Sequence, residues 1–204
     1  MSDSEGDVID LLVGVEKGSY LDAIRAHRPE ARENAQKSYL ALFAPKFPGE
    51  MTREERYALA VFVAGLHRDV ATLGFYRAGL AKLNGRLGLF DAVDREIARG
   101  AAKGPYGHYP EGPLSREDRA GPVHRVSEAD HEVLGERLSA ALEHAHLLVF
   151  RPRDASPAAL QALLDAGWST SGIVTLSQLV AFLSFQIRVV VGLRALAATP
   201  SGNV

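Results

Sequence analysis

The sequence predicts an all-α fold, and three observations predict it. Apolar residues recur at helical spacing through most of the chain. Ser or Thr stands where several of these periodic segments begin, and Pro and Gly gather between them. The most apolar stretch, Gly172–Leu196, reads GIVTLSQLVAFLSFQIRVVVGLRAL and is apolar on every side of a helical wheel. A helix of that kind is a buried core helix or a membrane span. Its uninterrupted apolar segment is shorter than the roughly 20 residues a bilayer requires. Ser177, Gln178, Ser184, Gln186 and Arg188 also punctuate it. The expectation is a core helix that other helices wrap.

Taken in order, residues 1–7 are polar and expected to fray. Val8–Val15 is a short apolar patch, and Tyr20–Ala26 makes a turn or two of helix before Pro29. Glu30–Phe43 is amphipathic through Ala31, Ala35, Tyr39 and Leu42. Pro45 and Pro48-Gly49 break it. Thr52 and Glu55 form a capping box, opening a helix from Arg53 to about Leu66 that can extend to Leu83. Leu87–Gly100 is a short amphipathic helix carrying Leu89, Phe90, Val93 and Ile97 on one side. Gly100–Pro122 has Gly and Pro at turn-forming density. A connection of that length is a functional loop or a linker, and its aromatic residues favour a functional loop. Ser127 opens a helix to about Phe150, where Pro152 ends it. Ser156-Pro157 starts another that stops at Gly167. The tail after Pro200 is expected to be loose.

At 204 residues there is length for one domain with a sizeable core. The net charge of −2 supplies no general attraction for nucleic acid or an acidic membrane. The first twenty residues carry acids where a signal peptide carries bases, so a cytoplasmic protein is expected. The chain has no cysteine, which excludes disulfides, thiolate nucleophiles and cysteine-ligated metal centres.

Laid on itself so that Thr52 meets Ser169, the chain also matches Ala64 to Ala181 and Leu66 to Leu183. Each half then reads as helix, capped turn, long apolar helix, the pattern of an internal helical repeat. The stretch ALLDAGWSTSGIVTLSQLVAFLSFQIRVVVGL resembles the signature of the carboxymuconolactone decarboxylase and alkylhydroperoxidase-D (AhpD-like) superfamily, and MTREERYALAVFVAGLHRDVATLGFYRAGL resembles its active-site helix pair. The resemblance implies an AhpD-like helical fold with two related halves, assembled as a homo-oligomer, a trimer or hexamer. It divides the chain into an N-terminal segment 1–39, a first half 40–100, a Gly/Pro-rich loop 101–126 and a second half 127–204. The peroxidase branch carries a Glu, two thiols and a His at positions that here hold Glu55, His67, Val70 and Gly74. Only the Glu is retained, so dithiol peroxide reduction has no nucleophile. The decarboxylase branch carries a Glu and a His where Val70 and Gly74 stand.

Two residues are therefore the catalytic candidates. Glu55 is either a proton relay or simply the capping acid of Thr52. His67 is a general base, a metal ligand or a structural histidine. In one uninterrupted helix they would stand about 18 Å apart, too far to cooperate without a kink or a second subunit. The substrate-binding candidates are Tyr106, His108 and Tyr109, which either close over a small ligand or pack onto the domain, and Arg188, expected to be buried with an acidic partner or to bind an anion. Asp69 is expected to be solvated and Arg194 to lie at the surface. His144 and His146 stand at a spacing that points them apart on a helix, so no metal is expected. His27, His124 and His131 carry no signal.

No cofactor, nucleic-acid or membrane partner is expected. Two functions remain. One is proton transfer or decarboxylation on a small organic acid or lactone, bound between the helix pair and the 100–122 loop. The other is a non-catalytic structural or regulatory subunit, or a partner of a dithiol-bearing paralogue.

Overall fold

A computed structural model describes residues 6–83 and 85–198. Residues 1–5 and the tail after Pro200 lie outside the described residues. Within them all regular structure is helical: nine α-helices, two short 3-10 turns and no strand beyond a lone bridge between Gly107 and Arg119. The all-α expectation holds.

Helix α1 (Val8–Val13) starts at Asp7, whose carboxylate accepts from the amides of Ile9 and Asp10. Asp7 is thus a fixed cap rather than part of a frayed end. Helices α2 (Tyr20–Ala26) and α3 (Pro29–Phe43) follow. Arg25 and Arg32 tie them to α1 through Asp7 and Asp10, and Arg32 joins α3 to α2 through Asp22.

Helix α4 (Arg53–His67) is the most enclosed element, buried almost continuously from Glu55 to Leu66. Its small residues Ala58, Ala60, Ala64 and Gly65 let neighbours close on every side, and it touches α3, α5, α6, α7 and α9. At Gly65 the approach is tight enough that a Cβ would stand 2.5 Å from the Ile97 side chain. The helix does not run on toward Leu83. Arg68 takes a left-handed conformation, and Asp69 restarts the chain by capping α5 (Val70–Ala81) at the amide of Thr72.

Helix α6 (Leu89–Arg99) leads to the long loop, and α7 (Glu128–Phe150) begins at Ser127. Gly135 interrupts α7 with φ 72° and ψ 166°. Arg86 donates to the carbonyls of Val133 and Leu134 beside this break. Helix α8 (Pro157–Asp165) starts at Ser156 and ends before Gly167.

Helix α9 (Thr170–Ala198) is long and apolar enough to cross a membrane by length and composition alone. It packs on α1, α3, α4, α7 and α8. The expectation of a wrapped core rod is only partly met. Leu176, Leu179, Val180 and Leu183 are buried, while Val174, Gln178, Ala181, Phe185 and Arg188 form an exposed stripe. The enclosed rod is α4.

Arg56 shows how the loop before α4 is held. Its guanidinium is buried and donates to the carbonyls of Leu42 at 2.7 Å, Pro48 at 2.8 Å and Met51 at 3.1 Å. Arg56→Met leaves these acceptors unsatisfied and should destabilise the fold by roughly 3 kcal/mol. Thr52→Ala, which removes a cap, should cost about 1 kcal/mol. Urea denaturation of the two variants beside the parent checks the order and the gap.

Candidate functional site

Glu55 and His67 sit at opposite ends of α4, with no kink between them. Glu55 accepts from the Thr52 amide at 2.7 Å and from Arg137 Nε at 3.1 Å. Thr52 in turn caps the Glu55 amide, completing the capping box. Both carboxylate oxygens are therefore engaged in holding the helix start and joining it to α7.

His67 closes the other end. Its Nε2 lies 3.3 Å from Ser184 Oγ on α9. Burial, aided by Arg188, holds the imidazole below its usual pKa, so it is neutral near pH 7. None of the best-formed cavities is lined by His67. The ring fills an inter-helix contact.

Arg188 is exposed rather than buried, because it falls on the outward stripe of α9. Arg194 and Asp69 take the arrangement expected of Arg188. They form an ion pair at 3.0 Å, with Asp69 9% exposed, and Arg194 also donates to the Leu12 carbonyl. The expectation of a solvated Asp69 fails because α1 folds back over this junction, while Arg194 stays partly at the surface with a third of its side chain exposed.

Tyr106, His108 and Tyr109 are brought together with the end of α7 and do not converge on His67. The Tyr106 amide donates to the Phe150 carbonyl, and the His108 amide and Nδ1 both meet Asp154 Oδ1. Arg153 lies 4.0 Å from the centroid of the Tyr109 ring and donates to its hydroxyl. The loop is pinned to the protein surface through these residues.

A different group of titratable side chains lies on the inner side of that loop. Glu96 of α6 is fully buried, and Ser127 donates its amide to Glu96 Oε1 at 3.1 Å. His124 Nε2 lies 3.0 Å from Glu96 Oε2 without the alignment of a hydrogen bond. His124 stacks on His146 at 5.0 Å between centroids, and His146 Nε2 meets the Gly100 carbonyl at 3.0 Å. Burial pushes the Glu96 carboxyl up. Burial, with His146 and two arginines beside it, holds His124 down at about 4. His144, two residues from His146, faces another way and is lowered by burial as well.

Next to this cluster a cavity of about 330 Å³ opens between α7, the first turn of α8 and the segment around His124. His124, His144, Arg125, Arg151 and Asp154 line it. The sequence offered one sign of the cluster: Glu96 falls on the same face of α6 as Leu89 and Val93, where an acid is out of place. His124 gave none, since nothing in an irregular loop reveals which side chains turn inward. Among the described residues no group of three or more metal-ligating side chains is placed to hold an ion.

Comparison with protein families, curated proteins and solved structures finds no match.

The neutral His124 has a consequence for stability. An unfolded chain takes up this proton near pH 6.5, the folded one only near 4. The stabilisation is complete above 6.5 and is lost as pH falls toward 4, on the order of 3 kcal/mol. Glu96 acts in the opposite sense: its raised pKa favours the folded state at low pH, and that contribution is lost as pH rises. His124→Gln should flatten the fall of the urea midpoint between pH 6.5 and 4. A slope identical to the parent's would show that His124 is not held neutral.

Proposed function

We propose that this chain is a cysteine-free member of the carboxymuconolactone decarboxylase and AhpD-like superfamily that works as a non-catalytic, self-associating subunit. Its role is structural or regulatory, or that of a partner of a dithiol-bearing paralogue. The observation that carries the non-catalytic reading is the engagement of His67 with Ser184, in a contact that lines no described cavity. The retained acid, Glu55, is committed to a cap and an ion pair at the far end of the same helix. Proton transfer needs a base within hydrogen-bond reach of a bound substrate, and this pair provides no such place.

The superfamily reading draws support from the relation between the halves. Thr52 and Ser169, matched in the self-alignment, both cap the start of a long apolar helix. His67 and Ser184 are separated by the same 117 residues and touch each other, as matched positions do beside a two-fold axis. The same operation places Asp69 on Gln186 and Arg77 on Arg194. Asp69 pairs with Arg194, and Gln186 accepts from Tyr76, one position from Arg77.

The surface for self-association is the stripe on α9. Val174 and Phe185 are 51% and 47% exposed, and Ala181 lies between them at a spacing that keeps one helical face, which Gln178 and Arg188 share. Exposed apolar residues gathered on one face, with a polar rim, suit a contact between copies.

Two measurements test the proposal. Light scattering after size exclusion should find a trimer or hexamer for the parent and a folded monomer for Phe185→Glu; a monomeric parent would remove the self-association reading. Assays with peroxides, lactones and keto acids should give no turnover for the isolated protein. Reproducible turnover that His67→Gln abolishes would overturn the non-catalytic reading and restore His67 as a base.

A further inference from the structure

The outward face of α9 carries a regular repeat. Val174, Gln178, Ala181, Phe185, Arg188 and Gly192 are all exposed and follow one another at alternating steps of four and three residues. That repeat keeps a straight seam along a helix, the arrangement by which two helices pack side by side. Gln178 and Arg188 make no hydrogen bond or ion pair among the described residues. No acid stands anywhere on α9 to neutralise the guanidinium.

Beside this seam lies a groove of about 550 Å³, between α9 and the end of α3 with the loop that follows it. Gln178, Ala181 and Phe182 form its α9 wall, with Pro45 and Pro48 among the residues that complete it. Phe47, 91% exposed, also lines it. The one charged side chain in the lining, Arg56, is engaged by three backbone carbonyls. The groove therefore suits an apolar side chain and offers an ion nothing.

The seam itself decides which pairing it permits. In a parallel pair like meets like, and the two Arg188 guanidinia are desolvated against each other. In an antiparallel pair centred at Leu183 each position meets a complement. Gln178 then meets the partner's Arg188, Ala181 the partner's Phe185 and Val174 the partner's Gly192. The largest exposed side chain of the seam is thus delivered to the stretch of α9 that borders the groove. A slip of seven residues one way sets Phe185 against Val174, beyond Ala181; a slip the other way leaves Gln178 facing Ala195 without its donor.

We propose that two copies of this chain pack their α9 helices antiparallel across a two-fold axis at Leu183, each Phe185 entering the other copy's groove beside Ala181 and each Arg188 donating to the other copy's Gln178. The pairing rests on the self-association reading and gives it a geometry. The two guanidinia stand about 15 Å apart along the axis, beyond the reach of strong repulsion at physiological salt. A contact of this kind joins copies in pairs, so it belongs to an assembly of even number, the hexamer rather than the trimer.

The lack of cysteine lets a single introduced thiol be labelled cleanly. Nitroxides on Ser171→Cys and on Val191→Cys, both exposed positions, should be separated along the helices by about 36 Å and about 24 Å, at 1.5 Å per residue on either side of Leu183. A parallel pair would hold both near about 10 Å. Gln178→Arg should weaken association roughly ten-fold in sedimentation, because it sets arginine against arginine twice. Combining it with Arg188→Gln should restore the parent's association, because the two-fold merely exchanges donor and acceptor. Circular dichroism of each variant checks that it is folded. A monomeric parent would remove the self-association reading and this pairing together. A trimer, short distances at both labels, or an exchange variant as weak as Gln178→Arg would overturn the pairing alone.

Discussion

The fold depends on α4 being closed in from every side. That closure requires small side chains where neighbouring helices approach, and α4 supplies them in Ala58, Ala60, Ala64 and Gly65. It also requires the helix ends to be satisfied without water. At one end Thr52, Glu55 and Arg137 do this, and at the other Arg68 turns left-handed and passes the chain to the Asp69 cap. Burial of the rod supplies the driving force, and the two polar ends fix its length. Glu55 and His67 sit at the two ends of this rod.

Much of the fold was legible because its signals are local. Caps at Thr52, Ser127 and Ser156, and stops at Pro45 and Gly167, need only a few neighbours to act, and each stands where the sequence put it. What was not legible is a matter of competition between helices. Both α4 and the 172–196 segment are apolar all round, and periodicity cannot say which is enclosed. The smaller side chains of α4 decide it. The breaks at Arg68 and Gly135 were also hidden, because each is stabilised by a distant partner: Arg194 for the Asp69 cap, Arg86 for the carbonyls before Gly135.

The candidate site divides in the same way. The separation of Glu55 from His67 follows from the rise of a helix and was readable in advance. The exposure of Arg188 and the pairing of Arg194 with Asp69 were not, since they depend on α1 folding across the junction and leaving the other face of α9 open. The loop aromatics pack onto the protein, and their ties to Asp154 and Arg153 make them part of a wall. His124 reaches the interior only because the loop ahead of Ser127 is held on Glu96.

Helix α9 comes last in chain order among the described elements, yet it covers α1, α3 and α4. On a ribosome, which releases the chain from its N-terminus, the seam that ends in the contact of His67 with Ser184 waits for 117 further residues to be made. Until then one greasy flank of the rod stands uncovered. Docking of α9 is thus a late folding step, and nascent chains stalled before α9 would present the surface most prone to clumping.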